Sequence, residues 1–219
     1  MEHRKILSPG QFDGRYLTAE FVTRRLAATT AQPPAERPRG DHDLNPGFVP
    51  THAPTRAAVL VPLILRPEGL QVMLTQRTAH LKDHAGQISF PGGRTEPEDR
   101  DAVATALREA EEEVGLPPDQ VEILGLLDTY VTSTGYEIAP VVGLIRPPFP
   151  VAPDPYEVGE VFEVPLSFLV DPHHHERHSR EWQGRTRSFY VLPYQDRYIW
   201  GATAGMLVNL ANLLQPAEA

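Results

Sequence analysis

Residues 90–116 read FPGGRTEPEDRDAVATALREAEEEVGL, which joins a glycine pair to a segment rich in glutamate. A glycine pair at 92–93 follows an apolar run and precedes a segment, 100–114, in which apolar side chains recur at helical spacing. The segment stops at Gly115, and two prolines follow shortly after, which is a common way for a helix to end. The sequence therefore predicts a tight glycine loop that leads into an amphipathic helix over 100–114.

Carboxylates gather on one side of this predicted helix. At 100° per residue, Glu109, Glu112 and Glu113 share one arc, the apolar face takes another, and Glu111 points elsewhere. Such neighbours repel one another by about 3 kcal/mol per pair when partly shielded from water. A divalent cation removes the repulsion and prefers oxygen ligands, so the cluster indicates a Mg²⁺ or Mn²⁺ site. The alternative is a solvated acidic face on which Arg108 bonds to Glu112.

Composition excludes several classes of protein. The chain has 219 residues and no cysteine, which excludes disulfide scaffolds, thiolate zinc sites and cysteine nucleophiles. Its net charge of −9 argues against a nucleic-acid-binding module. The longest apolar run, 57–65, falls far short of the ~20 residues that span a bilayer, and the N-terminus has no signal-peptide pattern. We therefore expect a cytoplasmic protein with neither a nucleic-acid nor a membrane partner.

The composition of the chain changes after residue 56. Residues 1–56 contain one short helical pattern at 18–28 and six prolines between 33 and 54, and we expect an N-terminal extension, either disordered or laid over the main domain. The remainder, 57–219, reads as a mixed sheet with helices on its faces, the second helix at 203–214. Strands are predicted at 57–65, 70–74, 121–127, 138–144, 161–164, 187–192 and 197–200.

The segment from Gly93 to Leu116 closely resembles the Nudix box, G-x5-E-x7-R-E-U-x-E-E-x-G-U, in which U is an aliphatic residue. The half that begins at Arg108 matches the box at every fixed position. The front half contains one extra residue, and Asp99 stands where the box has its first glutamate when positions are counted from the glycine. The resemblance leaves the role of Asp99 open.

A second motif narrows the resemblance. Residues 74–93, LTQRTAHLKDHAGQISFPGG, resemble the signature L-L-T-x-R-[ST]-x3-R-x3-G-x3-F-P-G-G of Nudix hydrolases that act on coenzyme A. Met73 replaces the first leucine of the signature and Lys82 its second arginine. The chain is similar to the bacterial coenzyme A pyrophosphatase type over roughly residues 57–214, which implies a Nudix α/β/α sandwich for the domain at 57–219.

The resemblance implies an enzyme that uses Mg²⁺ or Mn²⁺ to hydrolyse the pyrophosphate bond of a small nucleotide substrate. From coenzyme A or its derivatives, the products would be adenosine 3′,5′-bisphosphate and 4′-phosphopantetheine. Two alternatives stay open: a Nudix hydrolase of another nucleoside diphosphate, such as ADP-ribose or a dinucleotide, and a module that binds a nucleotide without cleaving it.

The same resemblance assigns the metal site. It implies that Glu109, Glu112 and Glu113 bind the ion, with the backbone carbonyl of Gly93 as a further ligand. It also implies that Arg108 orients one of these carboxylates rather than contacting the substrate. These residues, with an acidic group outside the box, make up the expected catalytic set.

The acidic group outside the box is expected in the loop before a predicted strand. Glu157 is the candidate for a base or an extra ligand, with Glu160 behind it, and a solvated loop glutamate is the alternative for each. Phosphates need local cations in an acidic protein, and Arg77, Lys82 and Arg94 cluster around the glycine loop. Arg77 is alternatively a surface or ion-pair residue.

Three features outside these motifs receive structural interpretations. The histidines at 173–175 and His178 have no regular ligand spacing and are predicted to lie in a solvated polar loop. Trp200 is interpreted as a core residue in preference to a base-stacking platform. Thr203 is a candidate N-cap of the last helix.

Overall fold

The computed structural model describes residues 14–30, 38–47, 53–80, 85–182 and 184–215. The described helices are α1 (Ala19–Thr30), α2 (Ala102–Val114), α3 (Leu166–Val170) and α4 (Ala202–Leu214). The described strands are β1 (Arg39–Gly40), β2 (Thr55–Arg66), β3 (Gly69–Arg77), β4 (Ile88–Ser89), β5 (Gly92–Arg94), β6 (Val121–Leu126), β7 (Tyr130–Val131), β8 (Tyr136–Ile145), β9 (Val158–Pro165), β10 (Glu176–Trp182), β11 (Arg185–Tyr194) and β12 (Arg197–Trp200).

A mixed sheet forms the centre of the molecule. Among the described residues, its strands run in the order β1-β7-β8-β2-β3-β4, while β5, β6 and β9 pair with β2, β8 and β3. The central strand β2 is parallel to β8 and antiparallel to β3. Helix α2 covers one face, and α1, α3 and α4 pack on the other. This arrangement confirms the predicted α/β class with a mixed sheet between helices.

Helix α2 reaches its place through small side chains. Ala106 and Ala110 are fully buried and pack with Ala58 of β2, so the helix lies close to the sheet. The carboxylate of Asp101 caps the helix by accepting a hydrogen bond from the amide of Ala104 at 2.8 Å. Gly115 ends it in the left-handed conformation, with φ 67°. The predicted start at 100 is therefore two residues early, because the cap precedes the first helical residue.

The described part of residues 1–56 packs against the main sheet. In α1, the side chains of Val22 and Leu26 are fully buried in the same core as α4. The hydroxyl of Thr18 accepts from the amide of Phe21, as expected for a cap. Strand β1 adds to the sheet by pairing with β7 in parallel. The described residues of this segment are therefore laid over the main domain. The boundary at residue 56 stays a prediction.

The C-terminal third differs from two sequence interpretations. The prediction of a solvated histidine loop is wrong for His174 and His175, whose rings bond to the carbonyls of Phe168 and Leu169. His178 lies on β10, a strand that apolar alternation did not reveal because nearly all of its side chains are exposed. Thr203 is not the cap of α4: Gly201 holds that position. None of the described helices has the length and apolarity that crossing a membrane requires.

Candidate active site

The segment predicted as a glycine loop, and called the glycine loop below, is strand β5 in the structure and lies directly against the acidic helix. Strand β5 pairs with β2, which brings Gly92 beside Val59 and Gly93 beside Ala58. A Cβ atom on Gly92 would lie 2.5 Å from the carbonyl oxygen of Ala58. A Cβ atom on Gly93 would lie 2.4 Å from Oε1 of Glu109. The two glycines are therefore required by close approach, to the backbone at one position and to a carboxylate at the other.

Of the three predicted ligands, Glu113 is buried and Glu109 is half-buried. The side chain of Glu113 is 8% exposed, and its Oε2 accepts a hydrogen bond from the amide of Gly92 at 3.2 Å. Burial raises the pKa of Glu113 to about 7, and the nearby charge of Glu109 adds to the rise. Burial also raises the pKa of Glu109, whose side chain is 17% exposed. A bound cation would therefore stabilise the charged form of both carboxylates.

The third predicted ligand is oriented differently. Although Glu112 shares an arc with the other two, its side chain is 60% exposed and accepts a hydrogen bond from Nη1 of Arg108 at 3.1 Å. The helix therefore contains the Arg108–Glu112 pair that the alternative interpretation expected. Within the described residues, no three carboxylate or imidazole side chains converge on one point. Glu111 is exposed, as predicted.

Arg108 connects the loop and the helix. Its Nε and Nη2 donate to the two carboxylate oxygens of Asp99 at 3.1 and 3.0 Å, and Nη2 also donates to the carbonyl of Arg94. Nη1 donates to Oε1 of Glu109 at 3.1 Å. These hydrogen bonds hold the pKa of Asp99 far below its ordinary value.

Asp99 is the site residue whose place the sequence left open. It stands at the glutamate position of the box, which was the only signal for it. In the structure it is the bidentate partner of Arg108, and its Oδ2 also accepts from the amide of Glu96 and the hydroxyl of Thr105. Asp99 thereby ties the loop before α2 to the middle of the helix.

The acidic loop approaches the site from the side of β9. The guanidinium of Arg77 lies between Glu113 and Glu157, 3.8 and 3.9 Å from their carboxylate oxygens. Glu157 is 44% exposed, and its charge contributes to the raised pKa of Glu109 and Glu113. Glu160 lies apart from this group, because it is paired with Arg197. The structure therefore brings Glu157, and not Glu160, to the carboxylates.

The remaining predicted cations fall in different places. Arg94 lies at the end of β5, where its Nη2 and Nε donate to the hydroxyl of Tyr136 at 2.8 and 3.2 Å. Arg77 forms ion pairs, which was the alternative to a phosphate-binding role. Its partners are two acidic side chains of the candidate site, Glu113 and Glu157. Lys82 lies outside the described residues.

The burial of Glu113 predicts a pH dependence of stability for the metal-free protein. Its pKa is 4.5 when unperturbed and about 7 in the fold, so between these values the folded state binds more protons than the unfolded state. The free energy of unfolding should fall as the pH rises from 4.5 to 7, by about 3 kcal/mol for this group, and then level off. Urea unfolding in EDTA at pH 5 and pH 8 measures the change.

Glu113→Gln is the control, because glutamine has no charge to bury and can still accept from Gly92. The difference in unfolding free energy between variant and wild type should grow from pH 5 to pH 8. An identical pH dependence in both proteins would show that Glu113 does not titrate in this way.

Comparisons with known proteins place these residues in a family context. A sequence model of the NUDIX domain matches residues 54–183. An uncharacterized Nudix hydrolase, NudL, of Escherichia coli (strain K12) is 43% identical over 157 residues, 71% of this chain and 81% of that protein. NudL of Yersinia pestis (strain Pestoides F), also uncharacterized, is 37% identical over 198 residues, 90% of this chain and 94% of that protein. A C. elegans Ap4A hydrolase in a binary complex aligns with 50% of this chain and 80% of that chain, at 22% identity and a TM-score of 0.44. The sequence relatives, rather than this superposition, decide the family.

Proposed function

Because the chain belongs to the Nudix family, whose hydrolases act on nucleoside diphosphate derivatives, we propose that its own substrate is coenzyme A or one of its acyl or oxidised derivatives. Hydrolysis of the pyrophosphate bond would release adenosine 3′,5′-bisphosphate and 4′-phosphopantetheine. The position of Arg77 carries the proposal. This arginine belongs to the coenzyme A signature and contacts Glu113 of the box and Glu157, so the two motifs form one site.

Nudix hydrolases generally use divalent metal cations, and the residues of this site suit one. The buried Glu113 and the half-buried Glu109 lie against a glycine pair, and loss of solvent raises both pKa values. We propose that these two, with Glu112 and the carbonyl of Gly93, hold Mg²⁺ or Mn²⁺. When bound, such an ion lowers the pKa of water and offsets the charge of a diphosphate.

Cations of the chain itself would orient the substrate. Arg77 lies beside Glu113, and Arg94 directly follows the glycine pair; both offer planar guanidinium groups that match phosphate oxygens. Lys82, from the signature, is proposed as a third contact. In the structure Arg77 faces two carboxylates, so substrate phosphates would compete with Glu113 and Glu157 for it. Arg108, which is engaged with Asp99, would position the ligands and not touch the substrate.

The proposed function is tested by identifying products. Purified protein is incubated with coenzyme A, ADP-ribose or diadenosine polyphosphates, with Mg²⁺ or Mn²⁺, and an EDTA control is run in parallel. Metal-dependent release of adenosine 3′,5′-bisphosphate and phosphopantetheine is the expected result. Turnover of ADP-ribose or a dinucleotide without coenzyme A would assign another substrate, and binding without turnover of any diphosphate would point to a binding module.

Asp99 gives a prediction about the positioning of the metal ligands. Asp99→Asn replaces the carboxylate that accepts two hydrogen bonds from Arg108 with a neutral amide. Arg108 should then bind Glu109 and Glu112 more strongly and shift their carboxylates. We expect kcat/KM to fall about tenfold to a hundredfold, as for other partners of metal ligands. The metal concentration for half-maximal rate should rise with it.

Asp101→Asn is the matched control for Asp99→Asn. Asp101 lies two residues away and caps the helix, a task that asparagine performs equally well. Its kinetics and metal requirement should match the wild type. An unchanged metal requirement in Asp99→Asn would contradict the positioning role.

A further inference from the structure

One face of the three-stranded sheet β10-β11-β12 combines arginine and aromatic side chains. Cross-strand pairing puts His178 opposite Phe189 and Arg180 opposite Arg187, and side chains two apart along a strand share a face. We call this surface the arginine–aromatic face; its basic and aromatic residues are His178, Arg180, Trp182, Arg185, Arg187, Phe189, Tyr198 and Trp200. Glu176, which pairs with His178, Val191 and Pro193 also lie on it. The face is unusual in a chain whose net charge is −9.

Arg180 combines an exposed side chain with contacts to two aromatic rings. Its guanidinium carbon lies 5.0 Å from the ring centre of Trp200 and 5.9 Å from that of Phe189. The rings hold the guanidinium by cation–π contact without using its donors. Among the described residues, no carboxylate forms an ion pair with Arg180, whereas the neighbouring Arg187 is paired with Asp41. An exposed guanidinium with free donors is suited to an anion.

At one edge, the arginine–aromatic face contacts Asp41 and, through it, the turn that precedes β8. Arg187, the cross-strand neighbour of Arg180, donates to Oδ2 of Asp41 at 2.6 Å. The same oxygen accepts from the amide of Ser133 at 2.7 Å. Ser133 begins the turn that leads to Tyr136, the partner of Arg94. Arg180 is therefore connected to the turn beside the glycine loop through its cross-strand neighbour Arg187 and the buried carboxylate of Asp41.

The other edge of the face adjoins the coenzyme A signature. Trp200 and Tyr198 line a cavity of about 370 Å³ together with Gln76 and Gly86. Glu160 and Asp196 also line it, and both are paired there with Arg197. Gln76 precedes Arg77 on β3, and the amide of Gly86 donates to the carbonyl of Arg77. The stacked Arg180 thus lies between two contacts with the same end of the main sheet, the end that carries Arg77 and the glycine pair.

We propose that Arg180 binds the 3′-phosphate of the adenosine 3′,5′-bisphosphate half of coenzyme A. The inference rests on the proposed function and names the group that would distinguish this substrate from ADP-ribose. A phosphate monoester carries a charge of about −1.5 to −2 at pH 7, and the diphosphate would occupy the cations near the metal ligands. The 3′-phosphate therefore needs a separate cation, and a guanidinium ordered on two rings loses little freedom on binding.

The test removes the phosphate from the substrate and the guanidinium from the protein. The kcat/KM values for coenzyme A and 3′-dephospho-coenzyme A are measured for wild type, Arg180→Gln and Arg177→Gln. Wild type should prefer coenzyme A by about tenfold to a hundredfold, as expected for a charge-assisted hydrogen bond. Arg180→Gln should lose that preference while its rate with 3′-dephospho-coenzyme A stays unchanged.

Arg177→Gln is the matched control. Arg177 lies on the opposite face of β10 and stacks on Tyr190 at 6.0 Å, so its removal should leave the preference intact. In wild type, free adenosine 3′,5′-bisphosphate should also inhibit more strongly than AMP, a readout that needs no variant. The proposal would be overturned if wild type hydrolysed the two substrates at equal rates, or if Arg180→Gln lost activity equally with both. Equal inhibition by the two nucleotides would overturn it as well. Turnover of ADP-ribose but of neither coenzyme would refute the proposed function, and this inference with it.

Discussion

Replacing Glu113 by glutamine is expected to lower kcat with Mg²⁺ by at least about a thousandfold while the fold stays intact. The glutamine keeps the size of the side chain and can still accept the hydrogen bond from Gly92. It removes a charge that is 8% exposed and faces Glu109. The variant should therefore be at least as stable as the wild type in EDTA, so a loss of turnover reports on the site and not on folding. Steady-state kinetics with coenzyme A, together with thermal unfolding, measure both effects.

Glu111→Gln is the control for this result. Glu111 belongs to the same helix and carries the same charge, but its side chain is exposed and turned away from the glycine loop. Its kinetics should stay within about twofold of wild type, as for a surface substitution without partners. Rates in Glu113→Gln that match the wild type would refute the assignment of Glu113 as a metal ligand. A comparable loss in Glu111→Gln would mean that the wrong side of the helix had been assigned to the metal.

The second large effect is expected for Glu157→Gln. Glu157 comes from outside the box, yet its carboxylate lies 3.9 Å from Arg77 and its charge acts on both Glu109 and Glu113. Its carbonyl accepts from the amide of Thr78, which anchors the loop to the end of β3. If Glu157 serves as the base or as an extra ligand, glutamine should lower kcat by about a hundredfold with little change in KM.

Glu160→Gln is the matched control for Glu157→Gln. Glu160 lies three residues further on but is paired with Arg197, away from the carboxylates. The rate of this variant should stay close to that of the wild type. A large loss of kcat in Glu160→Gln, with normal rates in Glu157→Gln, would mean that Glu160 and not Glu157 has the proposed role.

Much of the fold was predictable because it depends on local pattern. The helix at 102–114 has a capping aspartate before it, a glycine after it and an apolar stripe along it, and these signals are all local. The predicted strands were found within a few residues of their bounds because apolar runs mark buried strands. Strand β10 was missed because an exposed strand has no apolar face to mark it. The cap of α4 was misplaced because Thr203 is buried and bonds to Ile88.

The spacing of residues along the chain predicted which residue types gather near the glycine loop and which face of α2 is apolar. It could not determine how far each carboxylate is buried, because a helical wheel gives directions about an axis and not what covers each direction. Only the packing of β5 against α2 separates Glu113, which is buried, from Glu112, which is exposed and bonded to Arg108. Only the tertiary structure joins Asp99 to Arg108 and brings Glu157 to Arg77, since these contacts cross between separate elements.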